Sequence, residues 1–438
     1  MRSFFSSTSS SIRQAGTSRA QQKGMYRFFN NEKVSEEDLV SACLERTESV
    51  SKGRHVLVLN DTSEINLDSH SGRLQPESGI GLVGNNKNVG FFTHLGLVVD
   101  IETYQAIGYS SIHFWNRSMD PGQNKFIRGY KNMPVEEKES YKWLRCITES
   151  RKVLQDAASI TVVGDRESDM YELFVEARTT QTHVVARNRG NRKLAENSTM
   201  YESLESTAIA GSYELDLLGD VRKSTKNRTA TLKVKFKKVT LRKPEGKRDG
   251  RPSEIDVWVV ETKENKDKGI CWRLLTTHEI KNFEDAVQVI EWYAARWFIE
   301  EVFRLLKKKG YRVEDSQLES GWAIRKLTIV LLHTILRVMQ MLIAYGSTEE
   351  QDAGLAFGNE EIDCLKRVNI KYQGRTEKLN NPHKESTLNW ATWIIARVGG
   401  WSGYHSQRPP GPITLKNGID KFNSIFQGWM MAKDVGTQ

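Results

Sequence analysis

Short, continuous apolar runs set the first rhythm of the chain. Residues 55–60 (His-Val-Leu-Val-Leu-Asn) and 160–164 (Ile-Thr-Val-Val-Gly) are too short for helices and apolar at nearly every position, so they are expected as strands buried on both faces. Each run ends at an acid, Asp61 followed by Thr62 and Asp165 in Asp165-Arg-Glu-Ser-Asp169. Residues 89–100 and 182–186 are further strands, and 135–155, with Trp143 and Leu144, is expected as a helix. Residues 50–190 thus alternate strands with helical stretches, the order of an open α/β sheet. From about 190 to 270 the period falls to two. Residues 231–240 alternate lysine with apolar residues, and 254–261 follow as a second strand. That alternation marks antiparallel strands with one face in solvent.

The period then lengthens to that of a helix. Residues 282–309 contain no Pro or Gly and read as one amphipathic helix. With Tyr293 set at zero and ~100° per residue, Arg296, Glu300 and Lys307 fall within an arc of about 60°. Arg304 joins that polar stripe, and Trp297 flanks it. Ile299, Val302, Leu305 and Leu306 point to the opposite side, as a core face requires. The stripe is compatible with an ordinary solvated face carrying ion pairs three and four residues apart. It is equally what phosphate handling needs: cations to neutralise phosphates, a phenol to donate a hydrogen bond, and a carboxylate for a hard cation. The aspartates at 61 and 165 allow the same two readings. Acids at strand ends form turns and cap helices, Asp169 among them, but strand ends are also where open α/β sheets bind ligands.

Composition narrows the choice. A net charge of +9 over 438 residues favours a polyanionic partner, and 55 acidic residues mean that the positive charge must be patterned. Basic clusters stand at 187–193, 233–251 and 304–309. Cys43, Cys146, Cys271 and Cys364 have neither zinc-finger nor redox spacing, which points to a reduced compartment without structural zinc. The apolar stretch 327–344 is interrupted by His333, Arg337 and Gln340, so it is expected as a buried bundle helix and not as a membrane span.

Asp61-Thr62, the Asp165-to-Asp169 block and Tyr293-x2-Arg296-x3-Glu300-x6-Lys307 together resemble the DDE transposases of insertion-sequence family four, Tn-five type. The resemblance runs from about 24 to 433. It implies a ribonuclease H-like α/β core interrupted by a β-rich insertion, with a helical C-terminal domain. The implied organisation is a partial N-terminal DNA-binding region (1–50), a first core part (51–190), the insertion (191–270), the acidic-helix part of the core (271–345) and a C-terminal dimerisation region (346–438). It also implies that Asp61, Asp165 and Glu300 are catalytic and hold two Mg²⁺ ions, with Mn²⁺ able to substitute. Tyr293, Arg296, Lys307, Arg304 and Trp297 are implied on the DNA. Trp272, twenty-one residues before Tyr293, corresponds to a tryptophan that receives a flipped base, and Arg187 to an arginine that grips DNA beside it.

The partners so implied are double-stranded element ends and target DNA, with a homodimer in the DNA complex and no membrane. The setting is cytoplasmic, at a bacterial nucleoid. The resemblance enters partway through the family's N-terminal DNA-binding domain, whose first few dozen residues are expected to have no counterpart here. A shortened, non-catalytic chain that pairs with full-length transposase and inhibits it is the competing expectation.

Overall fold

The computed structural model describes residues 12, 18–84, 86–120, 133–178, 181–217, 228–245, 249–266, 269–307, 310–347, 349–374, 380–404 and 408–436. Their strands are β1 (His55–Asn66), β2 (Gly81–Val83), β3 (Asn88–Asp100), β4 (Ala106–Trp115), β5 (Ser159–Gly164), β6 (Thr182–Arg187), β7 (Gly211–Leu217), β8 (Arg228–Arg242), β9 (Glu254–Glu264) and β10 (Cys271–Thr276). The helices are α1 (Arg19–Phe29), α2 (Glu36–Ser51), α3 (Tyr141–Val153), α4 (Tyr171–Glu176), α5 (Met200–Glu205), α6 (Phe283–Ala295), α7 (Trp297–Leu306), α8 (Gly321–Gly346), α9 (Asn359–Tyr372), α10 (Leu388–Val398) and α11 (Pro412–Gly436). The architecture is mixed α/β with a helical C-terminal region, as expected. The chain forms two compact units, one of residues 1–50, 62–125 and 298–438, the other of 51–61 and 126–297.

The first unit is built on β2–β4 and a helical bundle. Its central helix, α8, is the apolar stretch read from the sequence. It is long and apolar enough to cross a membrane, but 83% of its most apolar window is buried within the protein. A helix apolar on every side needs cover all round, and its polar residues need partners. Arg325 donates to Asn116 Oδ1 (2.7 Å), Lys326 to the Asn31 carbonyl (2.9 Å) and Arg337 to Glu361 (2.8 Å). Helices α10 and α11 cross at glycine: a Cβ on Gly418 would stand 2.0 Å from the Ile395 carbonyl oxygen. Trp390 and Trp393 of α10 are fully buried. Helix α9 lies in a stretch that the sequence pattern leaves without an element. Only Cys364, Leu365 and Val368 are buried on it, too narrow a seam to stand out among its charges.

In the second unit β1 pairs with β5 and β5 with β6, both parallel. The sheet then continues antiparallel through β10, β9, β8 and β7. Residues 160–164 of β5 are all buried, the signature of a strand covered on both faces. Helix α6 packs across one face, against β5, β6, β8, β9 and β10.

The long β8–β9 hairpin changes its buried side partway. Ala230, Leu232 and Val234 are buried at one end, and Val239 and Leu241, of the opposite parity, at the other. Twist over fifteen residues carries each face from one neighbour to the next.

One expectation is corrected. Residues 282–309 are not a single helix: α6 ends at Ala295 and α7 begins at Trp297. Arg296 between them has φ −53° and ψ −23°, and its N–H donates to the Tyr293 carbonyl (3.1 Å), so the helix tightens through one 3₁₀ turn. No breaker residue marks the spot. What holds Arg296 is a tertiary bond from its guanidinium to Asp61.

Candidate functional site

The parallel register builds the site. Leu59 is opposite Val163 and Gly164 is opposite Ala186. Continued by one or two residues, the same offsets align Asp61, Asp165 and Arg187 in one row across β1, β5 and β6. Asp165 keeps extended backbone (φ −80°, ψ −164°), so side-chain alternation still holds there. Neighbouring strands lie ~4.8 Å apart, so the two carboxylates share one face; Asp165 follows the end of β5, whereas β1, expected to end at Asp61, runs on to Asn66 and carries Asp61 within the strand. Arg187 is opposite Leu274 of β10, and Trp272 is two residues from Leu274, hence on that face as well.

Helix α6 covers this face and organises it. Tyr293 packs edge to face on Trp272 with ring centroids 5.1 Å apart, and only 4% of it is exposed. The expected phosphate-facing phenol is therefore seated beneath the tryptophan, steadying the ring. Below the helix His183 and His278 stack at 3.9 Å, Trp292 lies 4.8 Å from His278, and Thr161 Oγ1 is 2.8 Å from His278 Nε2. Burial lowers both imidazole pKa values, that of His278 to about 3. Two stacked cations would repel, so the pair is neutral near pH 7.

At the end of α6, Arg296 Nη1 donates to Asp61 Oδ2 at 2.9 Å, and its guanidinium is 5.9 Å from the Tyr293 ring. Asp165 Oδ1 accepts from the Glu167 N–H (2.8 Å), so it caps the short 3₁₀ turn after β5. Gly164 is required here, because a Cβ would stand 2.4 Å from Ser168 Oγ. Arg187 is half-buried, and its side chain has no hydrogen bond or ion pair among the described residues. An unmatched cation in that position is costly unless an anion arrives.

Asp169, expected as a helix cap, has a different task. Its side chain is 2% exposed and accepts from Asn188 Nδ2 (3.0 Å), the Arg189 N–H (2.7 Å) and Arg192 Nε (3.0 Å). It ties the turn after β5 to the loop after β6, fixing the backbone that follows Arg187. The basic cluster 187–193, legible in the sequence, is in part this anchor.

The boundary between the units falls at Trp297–Phe298, so the sequence-derived site is divided. Glu300, Arg304 and Lys307 belong to the first unit. Glu300 is exposed on α7, and Trp297 is 46% exposed. Arg304 is engaged by the buried Glu301, with its Nε 2.7 Å from Glu301 Oε2, and so is an ion-pair partner before it is a DNA contact. Lys308 and Lys309 lie outside the described residues. Among the described residues no three acids, histidines or cysteines are gathered tightly enough to hold a metal. Asp61 and Asp165 fit part of a hard-cation site: two carboxylates in one row of neighbouring strands, one already drawing the positive charge of Arg296.

Residues 142–337, somewhat under half of the chain, match the family described as "Transposase DDE domain". Every candidate residue except Asp61 lies inside that segment. The match supports a DDE transposase domain here. A piggyBac transposase synaptic complex with hairpin DNA, solved by cryo-EM, aligns at 12% identity and a TM-score of 0.32, over 76% of this chain and 61% of that chain.

Proposed function

We propose that the chain is a DNA transposase of the insertion-sequence-four, Tn-five type, moving DNA by cut and paste. The observation that carries the reading is the row of Asp61, Asp165 and Arg187, on one face with Trp272, within a chain whose residues 142–337 match a transposase DDE domain. Asp61 and Asp165, joined by Glu300, hold divalent cations, Mg²⁺ or Mn²⁺. Bound there, such cations supply Lewis-acid stabilisation of the attacking and departing oxygens.

The chain's own groups do the rest. Arg296 positions the Asp61 carboxylate and brings positive charge to the place where a phosphate sits. Trp272, braced by Tyr293, stacks on a base extruded from the DNA end, and Arg187 and Lys307 grip the adjoining phosphates. Water first hydrolyses one phosphodiester and leaves a 3′-hydroxyl. That hydroxyl attacks the opposite strand and displaces its 3′-oxygen, giving a hairpin. Water reopens the hairpin, and the 3′-hydroxyl then attacks target DNA. Residues 346–438 pair two copies on the DNA.

The test is cleavage of duplex carrying the inverted repeats of the element by the full chain with Mg²⁺, resolved on a denaturing gel. Asp61→Ala, Asp165→Ala and Glu300→Ala should each lose on the order of 1,000-fold or more in rate while still binding DNA. Equal cleavage by the wild type and all three variants would overturn the assignment. Binding without cleavage by the wild type itself would favour the inhibitory, non-catalytic chain.

A further inference from the structure

The face of the second unit's sheet turned away from α6 carries lysines that no described residue of that unit pairs with. Across β8 and β9, Lys233 is directly opposite Lys263. Like charges facing each other across a strand pair are destabilising. Lys237 follows on the same face two pleats along, with Lys235 between them. Lys233, Lys237 and Lys263 are exposed, and none of their side chains has an ion pair or hydrogen bond among the described residues.

Among the described residues, the acids nearest these lysines do not compensate. Glu261 is bonded to Arg273 (2.6 Å), whose guanidinium also lies 4.1 Å from the Tyr201 ring. Glu214, opposite Thr231, is diagonal to Lys233 and is not bonded to it. Lys235 donates to the Leu204 carbonyl of α5 (2.9 Å), which keeps its charge on this side.

The other parity of the same hairpin shows that matching is available to this sequence. There Lys238 pairs with Asp256 (3.0 Å), and Arg228 is held by Glu264 (2.5 Å). The contrast lies within one hairpin, so overall composition does not account for it. Alternate residues along a strand are ~7 Å apart and neighbouring strands ~4.8 Å apart, so the three lysines form a compact track of cations on a regular sheet.

We infer that this face, defined by Lys233, Lys237 and Lys263, docks the phosphate backbone of a DNA duplex. It lies on the opposite side of the sheet from Trp272 and Arg187. The duplex it holds is therefore a stretch other than the one whose base reaches Trp272. The choice of duplex DNA as the occupant rests on the proposed function, but docking itself requires neither the three acids nor a metal, so binding in EDTA tests it separately from cleavage.

The test is equilibrium binding of a fluorescent 30-base-pair duplex to the full chain in EDTA, across a salt titration. Each phosphate contact contributes about 0.9 to the slope of log affinity against log salt. Lys233→Gln/Lys237→Gln/Lys263→Gln should lower that slope by about 2 to 3 and weaken binding on the order of 100-fold near 0.1 M salt. A control with the same loss of charge, Lys52→Gln/Lys238→Gln/Lys281→Gln, should leave the slope within about 1 of the wild type. Equal losses in the two triples would mean bulk charge alone and would overturn the surface. A loss confined to single-stranded DNA, or to an acidic polypeptide used as competitor, would overturn the occupant. Lysine acetylation of the wild type, mapped by mass spectrometry, gives an answer without variants. Duplex should protect Lys233 and Lys263 more than Lys52, and the reverse order contradicts the proposal.

Discussion

On the α6 face of the second unit, Arg187 apart, the charges described meet partners supplied by the chain: Arg296 sits on Asp61, and Arg192 with the loop after β6 sits on Asp169. On the far face of the β8–β9 hairpin, Lys233 looks across at Lys263 with no acid bonded to either. The same sheet thus treats charge in two ways. Where the chain supplies the partner, a substitution should be felt as lost stability and misplaced loops. Where it does not, the loss should fall on binding and leave the fold alone, because exposed substitutions away from such partners stay within about ±0.5 kcal/mol.

The sharpest way to break this comparison is Asp169→Ala. It strands the part-buried Arg192 and frees the loop that follows Arg187, at a cost of about 3 kcal/mol. Thermal or urea unfolding checks this, and Asp169→Asn, which keeps an acceptor, should lose less. The lysine triple should show no comparable change in Tm. Equal destabilisation by both would erase the distinction between the faces.

A smaller effect comes from the His183–His278 pair. Both folded pKa values lie below the ordinary value of 6.5, so the unfolded chain binds more protons between about pH 3 and 6.5. Stability is then complete above pH 6.5 and falls as pH drops through that window, by about 1 kcal/mol per pH unit. Burial of Asp420 in the first unit raises its pKa to about 6 and acts in the opposite sense. The informative comparison is therefore Tm against pH for the wild type and for His278→Gln. The variant should lose less between pH 7 and 5.5, and parallel curves would remove the histidines from the account.

Much of the core was legible because apolar runs are unambiguous when both faces of a strand are buried. The apolar runs that lead into Asp61 and Asp165 and the helix α8 follow from residue order alone, although β1 runs past Asp61 to Asn66. Other features depend on contacts that no local pattern carries. The turn at Arg296 has no glycine or proline to announce it, and its bond to Asp61 comes from another strand. Tyr293 fell on the polar stripe of an ideal helix wheel, yet the packing of α6 on Trp272 buries it. Asp169 resembles any acid near a helix start until Arg192 and Asn188 are seen around it. The row of Asp61, Asp165 and Arg187 needs two strand offsets, which only the folded sheet provides.

The central claim is that Asp61 and Asp165 share a cation site with Glu300. Fe²⁺ in place of Mg²⁺, with ascorbate and peroxide, cuts the backbone beside wherever the ion binds. With DNA present, cuts are expected near residues 61, 165 and 300, and Asp165→Ala should remove all three. Cutting near 61 and 165 that leaves the chain around 300 intact would contradict the third acid, and cutting at unrelated positions would contradict the site.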